Sequence, residues 1–188
     1  GGFGLYGYLP AAILSDWEVS LSEKYRPTIE RRSELFQYHN QIHFVDELSV
    51  NLSNFDALAF VKLPHMQREF IETIKDFSGH LFLEKPLGVN SSEHEYLCNV
   101  LAFHQTRFSI SYIFRYERWY RKILEPHVGQ RKVDIHWFIV KNPENSWKNV
   151  VDLGGGILSF YGIHLISLLV DMKSKLKFFS YLYSNDGL

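Results

Sequence analysis

The continuous apolar run Ala57-Leu58-Ala59-Phe60-Val61 constrains the fold of this chain more than any other stretch. Apolar residues without alternation read as a strand buried on both faces, the habit of parallel sheets covered by helices on each side. The next segment repeats its apolar residues, Met66, Phe70, Ile71, Ile74 and Phe77, at helical spacing, with Gly79 placed as a C-cap. Leu81–Leu83 then reads as a strand. Ser92 with Glu95 forms a capping box that opens a helix to about His104, and Phe108–Ile113 is again a strand. Upstream, Leu5–Leu14 is apolar enough for a helix, with Pro10 tolerable only near its start. Trp17–Leu21 and Ile42–Val45 read as short strands around the charged, helical or irregular stretch Ile29–Tyr38. Strand–helix alternation over the first 115 or so residues predicts parallel strands joined by crossover helices.

After that the texture changes. Glu117–Leu124 reads as a short helix, Val133–Val140 as a β-type run, Gly162–Met172 as a helix and Leu176–Tyr183 as a strand. The expected class is α/β: a Rossmann-type parallel sheet over residues 1–116, followed over 117–188 by part of an α+β open-faced sheet domain. A hydrophobic content of 46% against 22% charged residues reads as soluble and globular. The formal net charge of −1 disfavours a nucleic-acid partner. Cys98 has no second cysteine to pair with, so a reducing cytoplasm is the default. No stretch approaches the roughly 20 apolar residues of a membrane span, so no membrane role is expected.

Three short segments carry chemistry. Gly2-x-Gly4-x-x-Gly7, with Leu5 and Tyr6 between, has the spacing of a dinucleotide-binding turn. There the glycines allow the tight turn and close backbone approach, and a helix N-terminus faces the pyrophosphate. An acidic residue is expected about 20 positions on to hold the ribose hydroxyls, and Glu23 lies there beside Ser22. Lys24 and Arg26 suit a 2′-phosphate equally well, so NAD and NADP both stay open. Taken alone, the glycines read equally well as an ordinary flexible turn. The second segment is Glu84-Lys85-Pro86, directly after a strand. Ligands of doubly wound sheets bind at the carboxyl ends of strands, where an ammonium can polarise a carbonyl or deliver a proton. The alternative is a charged loop ended by a proline. The third is Gly154-Gly155-Gly156 followed by His164 near the start of an apolar helix. Its imidazole could exchange a proton with a substrate hydroxyl, or simply be a satisfied helix-start histidine. No metal-ligand pattern stands out.

In this order the three segments resemble the Gfo/Idh/MocA family of NAD(P)-dependent oxidoreductases, along essentially the whole chain. Leu63-Pro64 after the apolar strand, Arg115 with Tyr116, and Trp147-Lys148 ahead of the glycines look like further members of the family pattern. The resemblance implies hydride transfer between nicotinamide and a hydroxyl- or oxo-bearing carbon of a sugar, cyclitol or sugar nucleotide. Lys85 and His164 would be catalytic. Gly2, Gly4, Leu5, Tyr6, Gly7, Ser22, Glu23, Leu63, Pro64, Glu84, Lys85 and Pro86 would hold NAD or NADP. Arg115, Trp147, Lys148 and His164 would meet the substrate. Homo-oligomers are common in the family.

Two positions depart from that pattern. Phe160 stands where the family usually has an aspartate four residues before the histidine, and Arg68 where many relatives have a histidine. Asp171, seven residues beyond His164, lies about 10 Å along a helix and is too far to stand in for the missing aspartate. The glycine turn also expects a preceding strand, and family members continue past this point. A truncated or degenerate relative that binds dinucleotide or a partner without turnover is therefore the alternative expectation.

Overall fold

The computed structural model describes residues 2–47, 51–74, 76–129, 132–140 and 142–173. The chain opens helically: a π-helical stretch, Gly4–Tyr8, runs into α1, Leu9–Leu14, with Pro10 at its start as expected. There follow β1 (Val19–Ser22), α2 (Arg26–Arg31), α3 (Ser33–Phe36) and β2 (Ile42–Val45). Next come β3 (Ala57–Phe60), α4 (Pro64–Thr73), β4 (His80–Leu83), α5 (Ser91–Phe103) and β5 (Arg107–Ile110). The described residues end with α6 (Arg118–Leu124) and α7 (Ile163–Asp171).

All strand pairs among the described residues are parallel. β1 pairs with β2, and β3, β4 and β5 form a second sheet in that order. The register is level: Phe60 lies opposite Leu83, and Leu83 opposite Ile110. The segments leaving β3, β4 and β5 therefore emerge side by side on one edge. Between the two sheets lies a cavity of about 860 Å³, lined on one wall by Val19 and Leu21 and on the other by Ala57 and Ala59.

The larger core lies under α4 and α5, where Ile71, Leu81, Leu83, Leu87 and Leu97 are essentially inaccessible to solvent. The opposite face of β4 is also covered, since the Phe82 ring meets Tyr8 and Trp17. β4 is thus covered on both faces, whereas the apolar run of β3 is only half-buried: Ala57 and Ala59 face the cavity and Ala59 is exposed. A second core joins Leu5, Leu9, Ile29, Leu35 and Ile42 around α1, α2 and β2.

Several local expectations shift. α4 ends at Thr73, so Gly79 is not its C-cap. A Cβ at Gly79 would instead sit 2.5 Å from the Asp56 carbonyl and run into the Phe77 ring, so this glycine lets the chain pass closely into β4. The cap of α5 lies two residues earlier than the Ser92–Glu95 reading. Asn90 accepts from the Glu93 amide, and the Glu93 carboxylate accepts from the Val89 amide. Residues 133–140 form no strand. Their β-type run is not matched by a partner edge among the described residues, and Phe138 and Val140 are exposed. The expected open-faced sheet is thus not formed among the described residues, and the strand expected over Leu176–Tyr183 lies outside them.

The expectation about membrane spans also needs correction. Val151–Asp171 is a helical run of 21 residues with mean hydropathy 1.8, long and apolar enough to cross a membrane by length and composition. It is not one regular helix: it passes through the positive-φ residues Gly154 and Gly156 and a π-helical stretch, Ile157–Gly162, before α7. His164, Ser167 and Leu168 on it are buried against the rest of the chain.

Leu81 has no exposed surface, at the centre of the larger core. Leu81→Ala is expected to destabilise the fold by about 2–5 kcal/mol, read as a lower midpoint in urea denaturation.

Candidate functional site at the strand ends

The level register brings four segments together: Val61–Pro64 after β3, Glu84–Pro86 after β4, Ser111–Phe114 after β5, and residues 147–164. The Lys85–Pro86 peptide is cis. Its turn is gripped from behind by Gln67, whose side-chain amide donates to the carbonyls of Glu84 (3.1 Å) and Pro86 (2.8 Å). Gln67 is fully buried on the first turns of α4, which Pro64 starts at a position where a helix needs no donor. Glutamine carries no chemical signature in sequence, and only the fold shows that it anchors this turn.

The glycine triplet folds the late segment onto the sheet edge. At Gly154, φ is +82°, and a Cβ would lie 2.8 Å from the Pro64 ring. At Gly155, a Cβ would strike the Trp147 carbonyl. The Gly156 amide donates to the Lys148 carbonyl at 2.7 Å, closing the Trp147–Lys148 turn against the glycines. Position 160 then meets Lys85: the ammonium donates to the Phe160 carbonyl at 2.7 Å and sits 3.7 Å from the centroid of its ring. Lys148 lies 5.0 Å from the same centroid, and Trp147 packs edge-on against the ring at 5.0 Å.

Burial governs the titration of this site. Partial burial, reinforced by the Lys148 charge and opposed by Glu84, lowers Lys85 to about 8. His164 is 4% exposed; burial, then the charge of Lys85, lowers it to about 4, so it is neutral at pH 7. Its ring stacks on Phe114 at 4.3 Å and meets Tyr112 edge-on, and its Nδ1 has no hydrogen-bond partner. Burial raises Glu84 to about 7, with Lys85, Ser111 and Tyr8 pulling the other way, and one of its carboxylate oxygens is unpartnered. Beside it the Tyr8 hydroxyl bonds to Ser111, and burial pushes Tyr8 to about 12.

The structure thus gathers Lys85, Trp147, Lys148 and Phe160, with His164 within reach of the Lys85 charge. Arg115 is engaged elsewhere, in an ion pair with Asp171 at 2.7 Å, while the Tyr120 hydroxyl donates to the other oxygen of Asp171 at 2.6 Å. Asp171 accordingly serves Arg115, not His164. Arg68 pairs with Glu72 on the α4 surface and lies over the Tyr96 ring.

The early glycines do not form a loop. Residues 2–14 are helical throughout, so the Gly2-x-Gly4-x-x-Gly7 pattern begins a helix and makes no turn of its own. A Cβ at Gly4 would sit 3.4 Å from Val61, which places the start of that helix beside the end of β3. Leu5 points into the second core, and the Tyr6 hydroxyl donates to Glu34. Glu23, just past β1, is ion-paired with Arg26, which holds its carboxyl below the usual range.

No family model and no curated protein matches the chain. Solved structures do. The WlbA (WbpB) dehydrogenase from Thermus thermophilus, in complex with NAD and UDP-GlcNAcA, superposes with a TM-score of 0.63 at 18% identity over 90% of this chain and 61% of that one. An NAD-binding protein from Listeria innocua gives 0.53 at 14% identity, over 81% of this chain and 54% of that one. A protein assigned as an oxidoreductase, yvaA from Bacillus subtilis, gives 0.61 at 15% identity, over 90% and 50%. The chain therefore spans half to about three-fifths of these proteins. The likeness establishes a shared Rossmann-type α/β fold. These neighbours are of the Gfo/Idh/MocA type, so the fold agrees with the resemblance read from the sequence.

Unfolded, the Glu84 carboxyl ionises near 4.5; folded, near 7. The folded state binds the extra proton between these values, so this group makes stability fall as pH rises from about 4.5 to about 7. Glu84→Gln is expected to remove that fall, seen as a pH-dependent gap between variant and wild type in urea denaturation. Gly154→Ala should destabilise the protein by about 1–3 kcal/mol in the same assay, because its Cβ meets the Pro64 ring at a left-handed φ.

Proposed function

We propose that this chain is an oxidoreductase that moves hydride between a nicotinamide dinucleotide, NAD or NADP, and a hydroxyl- or oxo-bearing carbon of a sugar-like substrate. The observation that carries this reading is Lys85 at the carboxyl end of β4, partly buried, lowered to about 8, and covered by the segment that bears Phe160 and His164. Ligands of doubly wound sheets bind at that edge. The solved proteins of the same fold include one in complex with NAD and a sugar nucleotide.

Gly2, Gly4 and Gly7 with Leu5 and Tyr6 at the helix start, Ser22 and Glu23 after β1, and Leu63, Pro64, Glu84, Lys85 and Pro86 at the strand ends are the residues that would hold the dinucleotide. When bound it supplies or accepts the hydride; proton handling falls to the protein. A lysine lowered to about 8 is poised near neutrality, where a group can both give and take a proton. In oxidation, neutral Lys85 takes the substrate hydroxyl proton; in reduction, its ammonium returns one. The Phe160 carbonyl fixes the direction of the Nζ group. His164, neutral in this pH range, can donate or accept one hydrogen bond to the substrate through the ring nitrogen that lacks a partner. Trp147 and Lys148, packed on the Phe160 ring beside Lys85, would meet the substrate from the same segment.

Phe160 favours a second reading, a relative that binds dinucleotide without turnover. A phenyl ring cannot charge or orient an imidazole as a carboxylate does. Nicotinamide fluorescence on NADH or NADPH addition, followed by absorbance of the reduced cofactor with a sugar panel, separates the two.

Lys85→Ala is expected to lower turnover by about 10²–10⁴-fold at saturating cofactor. Unchanged turnover in that variant would refute the assigned role. In the oxidative direction kcat/KM should rise through about pH 8 as Lys85 loses its proton, and that limb should vanish in the variant.

A further inference from the structure

Position 160 is where the family resemblance leads one to expect a carboxylate, and the structure puts two cations there with none. Lys85 Nζ lies 3.7 Å and Lys148 Nζ 5.0 Å from the Phe160 ring centroid. Among the described residues neither ammonium makes an ion pair with a carboxylate. Glu84, next in sequence to Lys85, is the carboxylate whose charge acts on it, but burial raises Glu84 to about 7, so near neutrality it offsets the two ammonium groups only in part. A phenyl face attracts ammonium groups but cancels no charge. An ammonium carries three donors, and Lys85 spends one, on the Phe160 carbonyl. Two like charges at one ring also disfavour each other, which is why Lys148 adds to the lowering of Lys85. Independently, His164 is 96% buried in the same cluster, stacked on Phe114, with Nδ1 unpartnered and the charge of Lys85 acting on it. The site therefore has two ammonium groups against one carboxyl raised to about 7, spare donors and an unused ring nitrogen, among the rings of Trp147, Phe160 and Phe114.

We propose that Lys85 and Lys148, held on the Phe160 ring, form a subsite for an oxyanion carried by the substrate, a carboxylate or a phosphate ester, so that the site takes acidic sugars in preference to neutral ones. The inference rests on the oxidoreductase reading for the identity of the site as a substrate site. It assigns to Lys148 a role in substrate charge recognition, and to Phe160 the role of gathering two cations without neutralising them.

Calorimetric titration of the full chain with D-glucuronate, D-glucose 6-phosphate and D-glucose tests it. At least one acidic sugar is expected to bind about tenfold more tightly than glucose. Lys148→Met and Phe160→Asp should each shrink that preference to about twofold or less, with far-ultraviolet circular dichroism unchanged. A preference for glucuronate alone identifies a carboxylate subsite, and one for the phosphate alone a phosphate-ester subsite. Equal binding of the three sugars, no saturable binding of any, or a preference that survives both substitutions overturns the proposal. Reduction of NAD or NADP is read separately. Selective binding without reduction defeats the oxidoreductase reading and leaves the subsite, whereas reduction by glucose with no acidic preference does the reverse.

Discussion

The contact between the Lys85 ammonium and Phe160 ties the two halves of this chain into one site. Lys85 leaves the end of a central parallel strand, and Phe160 belongs to a segment that begins more than sixty residues later, after Trp147. The hydrogen bond to the Phe160 carbonyl directs the ammonium, and the ring lies against it. Without that contact Lys85 would be a charged residue on a loop, with no cause for its lowered pKa. With it, the late segment covers the strand ends, leaving Lys85 partly and His164 almost wholly shielded from water. Both titrations then follow from burial first and from neighbouring charge second.

Two supports make the contact possible, one a pair of hydrogen bonds and the other steric. On the sheet side, Gln67 holds the carbonyls that flank the Lys85–Pro86 peptide, fixing where Lys85 leaves the strand. On the other, Gly154 and Gly155 occupy places where any side chain would collide with Pro64 or the Trp147 backbone. The glycines and Pro64 are therefore two halves of one packing arrangement. Neither contributes chemistry, but together they decide where Lys148 and Phe160 sit relative to Lys85.

The parallel architecture was legible from residues. The apolar run at β3 and the strand–lysine–proline junction lie where expected, since an apolar stretch of strand length ended by a turn signal marks a strand, although β3 is half-buried and its Ala59 is exposed to the cavity. The boundaries were less legible. Gly79 looked like a helix cap and is a site of close chain passage. The capping pair of α5 was displaced by two residues, since Asn90 competes with Ser92 for the same role. Residues 133–140 carry β-type hydrophobicity, but pattern alone does not supply a hydrogen-bonding partner.

The sequence by itself determined that Lys85 would stand at a strand end, that glycine-permissive backbone would precede His164, and that Phe160 removes a carboxylate from the family pattern. These follow from local period, residue type and spacing. Only the tertiary structure decided that Asp171 belongs to Arg115 and Tyr120, that the early glycines open a helix and do not form a loop, and that Lys148 shares the Phe160 ring with Lys85. The reason is physical: charge pairing, burial and ring contact depend on distances between segments far apart in the chain, and those distances are set by how the strands align and by which backbones can pass close to one another.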